Sequence, residues 1–232
     1  MLNLLVVNMR KLLSALLILG SAAGFAQDTT TIDSSYQNSW YQLRSDFFRK
    51  LPDHKKEIVF LGNSITEQGE WQEVVHKKHV LNRGISGDVT FGVLARLDEV
   101  LSSKPSKIFV LIGINDLKRG MPVEVIANNY VRLIKKVQAE SPKTKLYLQS
   151  LLPLNMAMLP KSYEKLSNEK VNEVNNRMKV ICQQYKVSYV DLHPVFVDEK
   201  KQLRKDLSTD GLHLRFAAYI LWADYLKKLK LL

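Results

Sequence analysis

Four short segments hold the residues best suited to chemistry. Gly62-Asn63-Ser64-Ile65-Thr66 contains a serine, and Asn82-Arg83-Gly84-Ile85-Ser86-Gly87-Asp88 is glycine-rich. Gly113-Ile114-Asn115-Asp116 offers an amide, and Asp210-Gly211-Leu212-His213 places a carboxylate three residues before an imidazole. A free serine hydroxyl is a weak nucleophile and needs a neighbouring base. His213 is a candidate base, and Asp210 is close enough in sequence to fix its tautomer and to stabilise the imidazolium. An acyl transfer also needs preset donors for the oxyanion of its tetrahedral intermediate. The Ser64 and Gly87 backbone N–H groups and the Asn115 amide are candidates. Taken singly, each segment also reads as a helix cap or a turn.

Those residues follow a repeating pattern of strands and helices. Short apolar runs at Ile58 to Gly62, Val80-Leu81, Ile108 to Ile112, Leu146 to Leu148 and Tyr189 to Leu192 read as strands. Runs apolar on both faces suit a parallel sheet covered on both sides. Between them the helical period predicts helices over 91–101, 123–139, 168–185 and 216–229, with another over 36–51 before the first strand. The 36–51 helix shows Trp40, Leu43, Phe47 and Leu51 as an apolar stripe. Strand–helix alternation predicts an α/β fold with helices on both faces of the sheet. All four candidate segments then fall past the carboxyl ends of strands, the edge where open α/β sheets bind ligands. The stretch 151–165 has no clear period and reads as a lid or a crossover loop.

Composition narrows the function classes. The 232 residues are 46% hydrophobic and 25% charged, which fits a folded domain rather than a disordered chain. One cysteine, Cys182, rules out a disulfide scaffold or a cysteine-held zinc site. It falls in a helical apolar stripe and reads as a small core residue. The net charge of +11 comes from scattered lysines, and no basic run is interleaved with aromatics, so nucleic-acid binding is not expected. His193 follows Asp191-Leu192 in a second acid–histidine arrangement, but Pro194 marks it as a structural strand exit.

Arg10 and Lys11 precede an apolar run from Leu12 to Gly20, then small residues to Ala26. This order reads as a secretory signal peptide over residues 1–26, cleaved before Gln27, with 27–232 as a single domain. Met9 gives a cleaner start than Met1. The apolar run is too short to span a bilayer of ~20 residues, so no stable membrane anchor is expected after cleavage. The location expected is periplasmic or secreted.

The four segments together resemble the SGNH hydrolases, also called GDSL-type esterases. Ser64 matches the nucleophile block, Gly87 the glycine block, Asn115 the third block, and Asp210 with His213 the last block, in family order. The resemblance looks closest to platelet-activating-factor-acetylhydrolase-like esterases and bacterial acylhydrolases. It implies a three-layer α/β/α sandwich, flavodoxin-like, with a five-stranded parallel sheet. It also implies a metal-independent, cofactor-free Ser64–His213–Asp210 esterase with Ser64, Gly87 and Asn115 as its oxyanion hole. Asn63 departs from the family's usual aspartate before the serine. A small-molecule or carbohydrate ester is the expected partner, and the leader sequence favours a short-chain O-acetyl ester on a carbohydrate. The alternatives are a lysophospholipase or acyl thioesterase, with Trp71, Met156, Met158 and Leu159 lining a longer acyl pocket, or a non-catalytic carbohydrate-binding protein.

Overall fold

The computed structural model describes residues 33–232. The leader, its cleavage point and the choice between Met1 and Met9 lie outside the described residues. Among the described residues, no helix is long and apolar enough to cross a membrane.

In chain order the elements are α1 (Ser39–Lys50), β1 (Ile58–Gly62), α2 (Ser64–Glu67), α3 (Trp71–Val75) and β2 (Val80–Gly84). Next come α4 (Thr90–Ala95), α5 (Leu97–Ser102), β3 (Lys107–Leu111), α6 (Ile114–Lys118), α7 (Val123–Glu140) and β4 (Lys145–Gln149). The chain closes with α8 (Asn168–Tyr185), β5 (Ser188–Val190), α9 (His193–Phe196) and α10 (Phe216–Lys228). The strands form one parallel sheet in the order β2-β1-β3-β4-β5. The chain first steps outward from β1 to β2, then returns past β1 to β3. That reversal opens a crevice at the carboxyl ends of β1 and β3, where doubly wound sheets bind ligands.

The core follows from the apolar strands. β1 is buried throughout, and Phe60, Phe109 and Tyr147 stack in register across β1, β3 and β4. Phe60 lies on Trp71 with ring centroids 3.8 Å apart, and Trp222 meets Trp71 edge-on. These rings join the sheet to α3 and α10. A second group of helices forms as α7 packs against α8, α4 and α5. Its strong amphipathic stripe, Ile126, Tyr130, Leu133 and Val137, is buried as the sequence predicts. Cys182 is buried in α8, and burial pushes its thiol up to about 12.

Several expectations are corrected. The α1 stripe is turned outward: Trp40, Leu43 and Phe47 are 44%, 61% and 51% exposed. The helix instead buries Tyr41, Ser45 and Phe48. Tyr41 donates to the Gly92 carbonyl at 2.8 Å, and the Arg44 and Arg83 guanidinium groups lie over the Phe48 ring. Two stripes one residue apart fit the same helical period, and the groups waiting beneath chose between them. In α10, Phe216 and Ile220 are likewise exposed, while Ala218, Tyr219 and Trp222 face inward with Ala223 and Leu226. The helix expected over 91–101 breaks into α4 and α5 at Arg96, whose backbone leaves the helical region with φ −110° and ψ 9°. Strand β2 runs three residues beyond its apolar pair, because Asn82, Arg83 and Gly84 continue the pairing with β1. The stretch 151–165 divides: Leu151, Leu152 and Leu154 join the core, and only the later part lies at the surface.

Candidate active site

Ser64 opens α2 directly after β1. Asn63 caps that helix, its side-chain oxygen accepting from Ile65 N at 3.0 Å. The cap turns the chain sharply and places the serine at the crevice. The last block supplies the partner. Asp210 Oδ1 accepts from the backbone N–H of His213 at 2.7 Å and of Leu212 at 3.0 Å. Its other oxygen, Oδ2, lies 2.7 Å from His213 Nδ1. Gly211 makes this turn possible. It has φ +90°, and a Cβ there would meet the Asn155 carbonyl oxygen at 2.5 Å.

The two halves meet although 149 residues separate them: Ser64 Oγ lies 3.0 Å from His213 Nε2. With Nδ1–H directed at Asp210, Nε2 is the nitrogen able to accept the serine proton. Burial opposes ionisation of Asp210, but the bonds from His213 and Leu212 outweigh it and hold its carboxyl below the usual range. The carboxylate therefore stays charged opposite the imidazole.

The other two blocks border the same crevice. Gly87 has φ +80°, and the space where a Cβ would stand is empty to 4 Å. Glycine is needed there for the backbone conformation. Asn115 sits in the first turn of α6, directly after β3. Its Nδ2 donates one hydrogen to the Asp88 carbonyl at 2.9 Å, which holds the amide in one orientation. The second hydrogen of that amide is left for another acceptor.

His193 belongs elsewhere, as its proline neighbour predicts. Its Nε2 lies 3.0 Å from the Leu151 carbonyl, and it opens α9 rather than facing Ser64. Trp71 does not line an acyl pocket: it is 1% exposed, and its Nε1 donates to the Thr66 carbonyl at 2.8 Å. Met158 and Leu159 do lie against the Asp210–His213 turn, at Gly211, whereas Met156 is exposed. A groove of about 480 Å³ flanks the serine and histidine segments, lined by Glu67, Gln68, Glu70, Thr209, Leu214 and Phe216 with Arg215. A cavity of about 470 Å³ opens at the opposite edge of the sheet, at the start of β4 and β5, with no histidine or acidic side chain beside its serines.

Sequence reasoning passed over the buried charges around the crevice. Asp116 is fully buried and accepts from the backbone N–H and the hydroxyl of Thr90. Asp88 pairs with Arg96 at 2.9 Å, both out of contact with water. Burial pushes each carboxyl up to about 6. The available signal was a charge set inside an apolar pattern, as with Arg96 in the stripe of 91–101. Among the described residues, no three acidic, histidine or cysteine side chains are grouped to hold a metal ion.

A family model for GDSL-like lipases and acylhydrolases matches residues 60–219, which include every candidate site residue. The chain belongs to the GDSL-like lipase/acylhydrolase family. It is 26% identical over 201 residues to the human platelet-activating factor acetylhydrolase IB subunit alpha1, with 84% of each chain covered. A solved structure from Streptococcus pneumonia, described as a platelet activating factor, superposes with a TM-score of 0.76 at 31% identity. That match covers 82% of this chain and 92% of the other. A GDSL-like lipase from Bacteroides thetaiotaomicron superposes with a TM-score of 0.70 at 25% identity, covering 82% and 96%. This acylhydrolase therefore carries the parallel α/β fold of its relatives, and its activity is ester hydrolysis.

Proposed function

We propose that this acylhydrolase is a serine esterase that removes a short acyl group, most simply acetyl, from a carbohydrate hydroxyl. The observation that carries the serine chemistry is the continuous path from Ser64 Oγ to His213 at 3.0 Å and from His213 to Asp210 at 2.7 Å.

In the first half-reaction His213 Nε2 takes the Ser64 proton while Oγ bonds to the ester carbonyl carbon. The carbonyl electrons move to oxygen. That oxyanion is received by the N–H groups of Ser64 and Gly87 and by the free hydrogen of the Asn115 amide. The tetrahedral centre collapses, the bond to the alcohol oxygen breaks, and imidazolium gives its proton to the departing alcohol. An acyl-Ser64 ester remains. Water then attacks it with His213 again as base, which releases the acid and restores the serine. This route uses neither metal nor cofactor.

The groove supports a compact substrate with a polar alcohol portion. Its carboxylates, amide, hydroxyl and guanidinium can meet several hydroxyl groups, and the exposed Phe216 ring offers an apolar face. A second reading draws on the curated relatives, which are named as platelet-activating factor acetylhydrolase subunits. Under it the acetyl group would leave a phospholipid-like alcohol. The order of residues 10–26 supports a secretory leader and a periplasmic or secreted location. N-terminal sequencing of protein from an expressing cell should then begin at Gln27.

The functional test is turnover of p-nitrophenyl acetate, butyrate and octanoate by residues 27–232, beside Ser64→Ala. Turnover that falls with chain length and disappears in the variant supports the short-acyl serine esterase. Octanoate preference would favour a lipid or thioester substrate. Turnover that survives Ser64→Ala would overturn the serine mechanism. Release of acetate from acetylated oligosaccharides, compared with release from an acetylated lysophospholipid, then separates the two readings.

A further inference from the structure

Three donors on three segments must hold one spacing if they are to receive one oxygen. Ser64 lies after β1, Gly87 after β2 and Asn115 after β3. Arg96 is where those segments are joined. It stands at the break between α4 and α5 with its side chain turned inward, 2% exposed. Its Nε donates to Asp88 Oδ2 at 3.0 Å, and its Nη2 lies 2.9 Å from the same oxygen. Nη2 also donates to the Gly62 carbonyl at 3.1 Å, two residues before Ser64.

Each partner of Arg96 leads to a donor. The Gly62 carbonyl also accepts from Ile85 N at 3.1 Å, so the nucleophile turn and the glycine loop share that oxygen. Asp88 follows Gly87 directly and closes its loop, with its N–H donating to the Ile85 carbonyl at 3.0 Å. Its Oδ1 accepts from Val89 N at 2.9 Å, and its carbonyl holds the Asn115 amide at 2.9 Å. A water-free ion pair is an expensive way to stabilise a core, since apolar side chains of equal volume often do as well. What an apolar pair lacks is the directed bond to Gly62 and the fixed orientation of the Asp88 backbone.

We propose that Arg96, acting through Asp88, is a positioning residue that sets the spacing of the Ser64, Gly87 and Asn115 donors. The assignment rests on the serine-esterase reading of the same site. Arg96 touches no reacting atom. Its effect is on how well the three donors fit the transition state, so it acts on kcat and leaves ground-state binding of a small ester largely alone. A misplacement of about 1 Å in such a site can cost about 10²-fold in rate.

The test is a double-mutant cycle on p-nitrophenyl acetate with the wild type, Arg96→Lys, Asn115→Ala and the double variant. Near-ultraviolet circular dichroism and a thermal melt on each protein confirm that it is folded at the assay temperature. Asn115→Ala should lower kcat about 10²–10³-fold. Arg96→Lys should lower kcat about 10–100-fold with KM within about threefold, because lysine keeps the charge but not the two-way fork. In the Asn115→Ala background the same change should cost less than about threefold, since the spacing it controls is already lost. Asp88→Asn provides a second variant in the same cycle, used if Arg96→Lys does not fold, with the same pattern expected.

An arginine that only stabilises the fold would lower the melting temperature and leave kcat of the folded enzyme unchanged. That result, or effects that multiply in the double variant, would overturn the assignment. If Asn115→Ala or Ser64→Ala keeps wild-type turnover, the esterase reading itself has failed, and the role of Arg96 falls with it.

Discussion

At the scale of single residues, the site depends on groups whose bonding or protonation the fold fixes. Asp210 is one. Its two oxygens divide the work, one fixing the turn backbone and the other fixing His213 Nδ1–H. Asp210→Asn should keep much of this geometry but favour the wrong imidazole tautomer. The expected loss in kcat is about 10⁴-fold, read from steady-state kinetics on p-nitrophenyl acetate. A loss under tenfold would remove Asp210 from the mechanism.

Asn63 is a second case. Its oxygen caps α2, while its Nδ2 is buried with no hydrogen-bond partner among the described residues. Asn63→Asp keeps the capping oxygen and removes that unmatched donor, but it adds a buried charge beside Ser64. Activity should be retained within about tenfold of the wild type, because the cap and not the amide nitrogen shapes the turn. A melt and a kcat measurement on the variant check both parts of this argument.

Asp116 gives a pH prediction at the same scale. Burial pushes its carboxyl up to about 6, against an ordinary value of 3.8. Between those values the native protein holds a proton that the unfolded chain has lost. Its contribution to stability is therefore greatest below the ordinary value and declines as the pH rises through about 6. Asp116→Asn cannot titrate. Relative to that variant, the wild type should lose on the order of 3 kcal/mol between about pH 4 and about pH 7. Denaturant titrations of both proteins across that range supply the measurement, and a constant difference would refute the raised value.

At the scale of elements, the turns that carry the four blocks do the positioning. The last block is the tightest of them. Gly211→Ala would force a methyl group against the Asn155 carbonyl, and it would strain a residue held at φ +90°. Stability should fall by about 2 kcal/mol or more, with kcat reduced because His213 moves with the turn. A variant with the wild-type melting temperature and full activity would show that the loop at 155–159 yields easily.

The elements also show where periodicity misleads. In α1 two candidate stripes overlap, and the inner one was chosen by the Gly92 carbonyl and by two arginines lying on Phe48. Arg44 belongs to α1 itself, but Gly92 and Arg83 lie far from it in sequence. The helix expected over 91–101 reads as continuous because its apolar residues keep one period. Its break comes from the pull of Asp88 and Gly62 on Arg96, which only the folded chain brings into reach.

At the scale of the whole molecule, the sheet order creates the crevice and the aromatic stack beneath it makes the platform rigid. Trp222 is fully buried between α10 and the sheet, and its Nε1 donates to Gln149 Oε1 at 2.8 Å. Its ring neighbours, Trp71, Phe196 and Tyr219, are not assigned to the chemistry. Trp222→Ala should destabilise the protein by about 3–5 kcal/mol in a denaturant titration. The kcat of the protein that remains folded should be close to that of the wild type. A large kcat loss without loss of stability would show that the core and the site are coupled more closely than their contacts suggest.

The four blocks, and the places of the first three at strand ends, were legible in the sequence because turn chemistry and hydrophobic period act over a few residues; the last block lies well past β5, in the turns before α10. These features were enough to anticipate the parallel α/β architecture and to single out Ser64, Gly87, Asn115, Asp210 and His213. Tertiary structure alone decided which helix stripe faced inward, that Trp71 belonged to the core, and that Arg96 left its helix to join Asp88 and Gly62. It also brought Ser64 Oγ within 3.0 Å of His213 Nε2 across 149 residues. A side chain's period says that it has a preferred face. The partner that face will meet comes from another part of the chain, and only the closed sheet brings the two together.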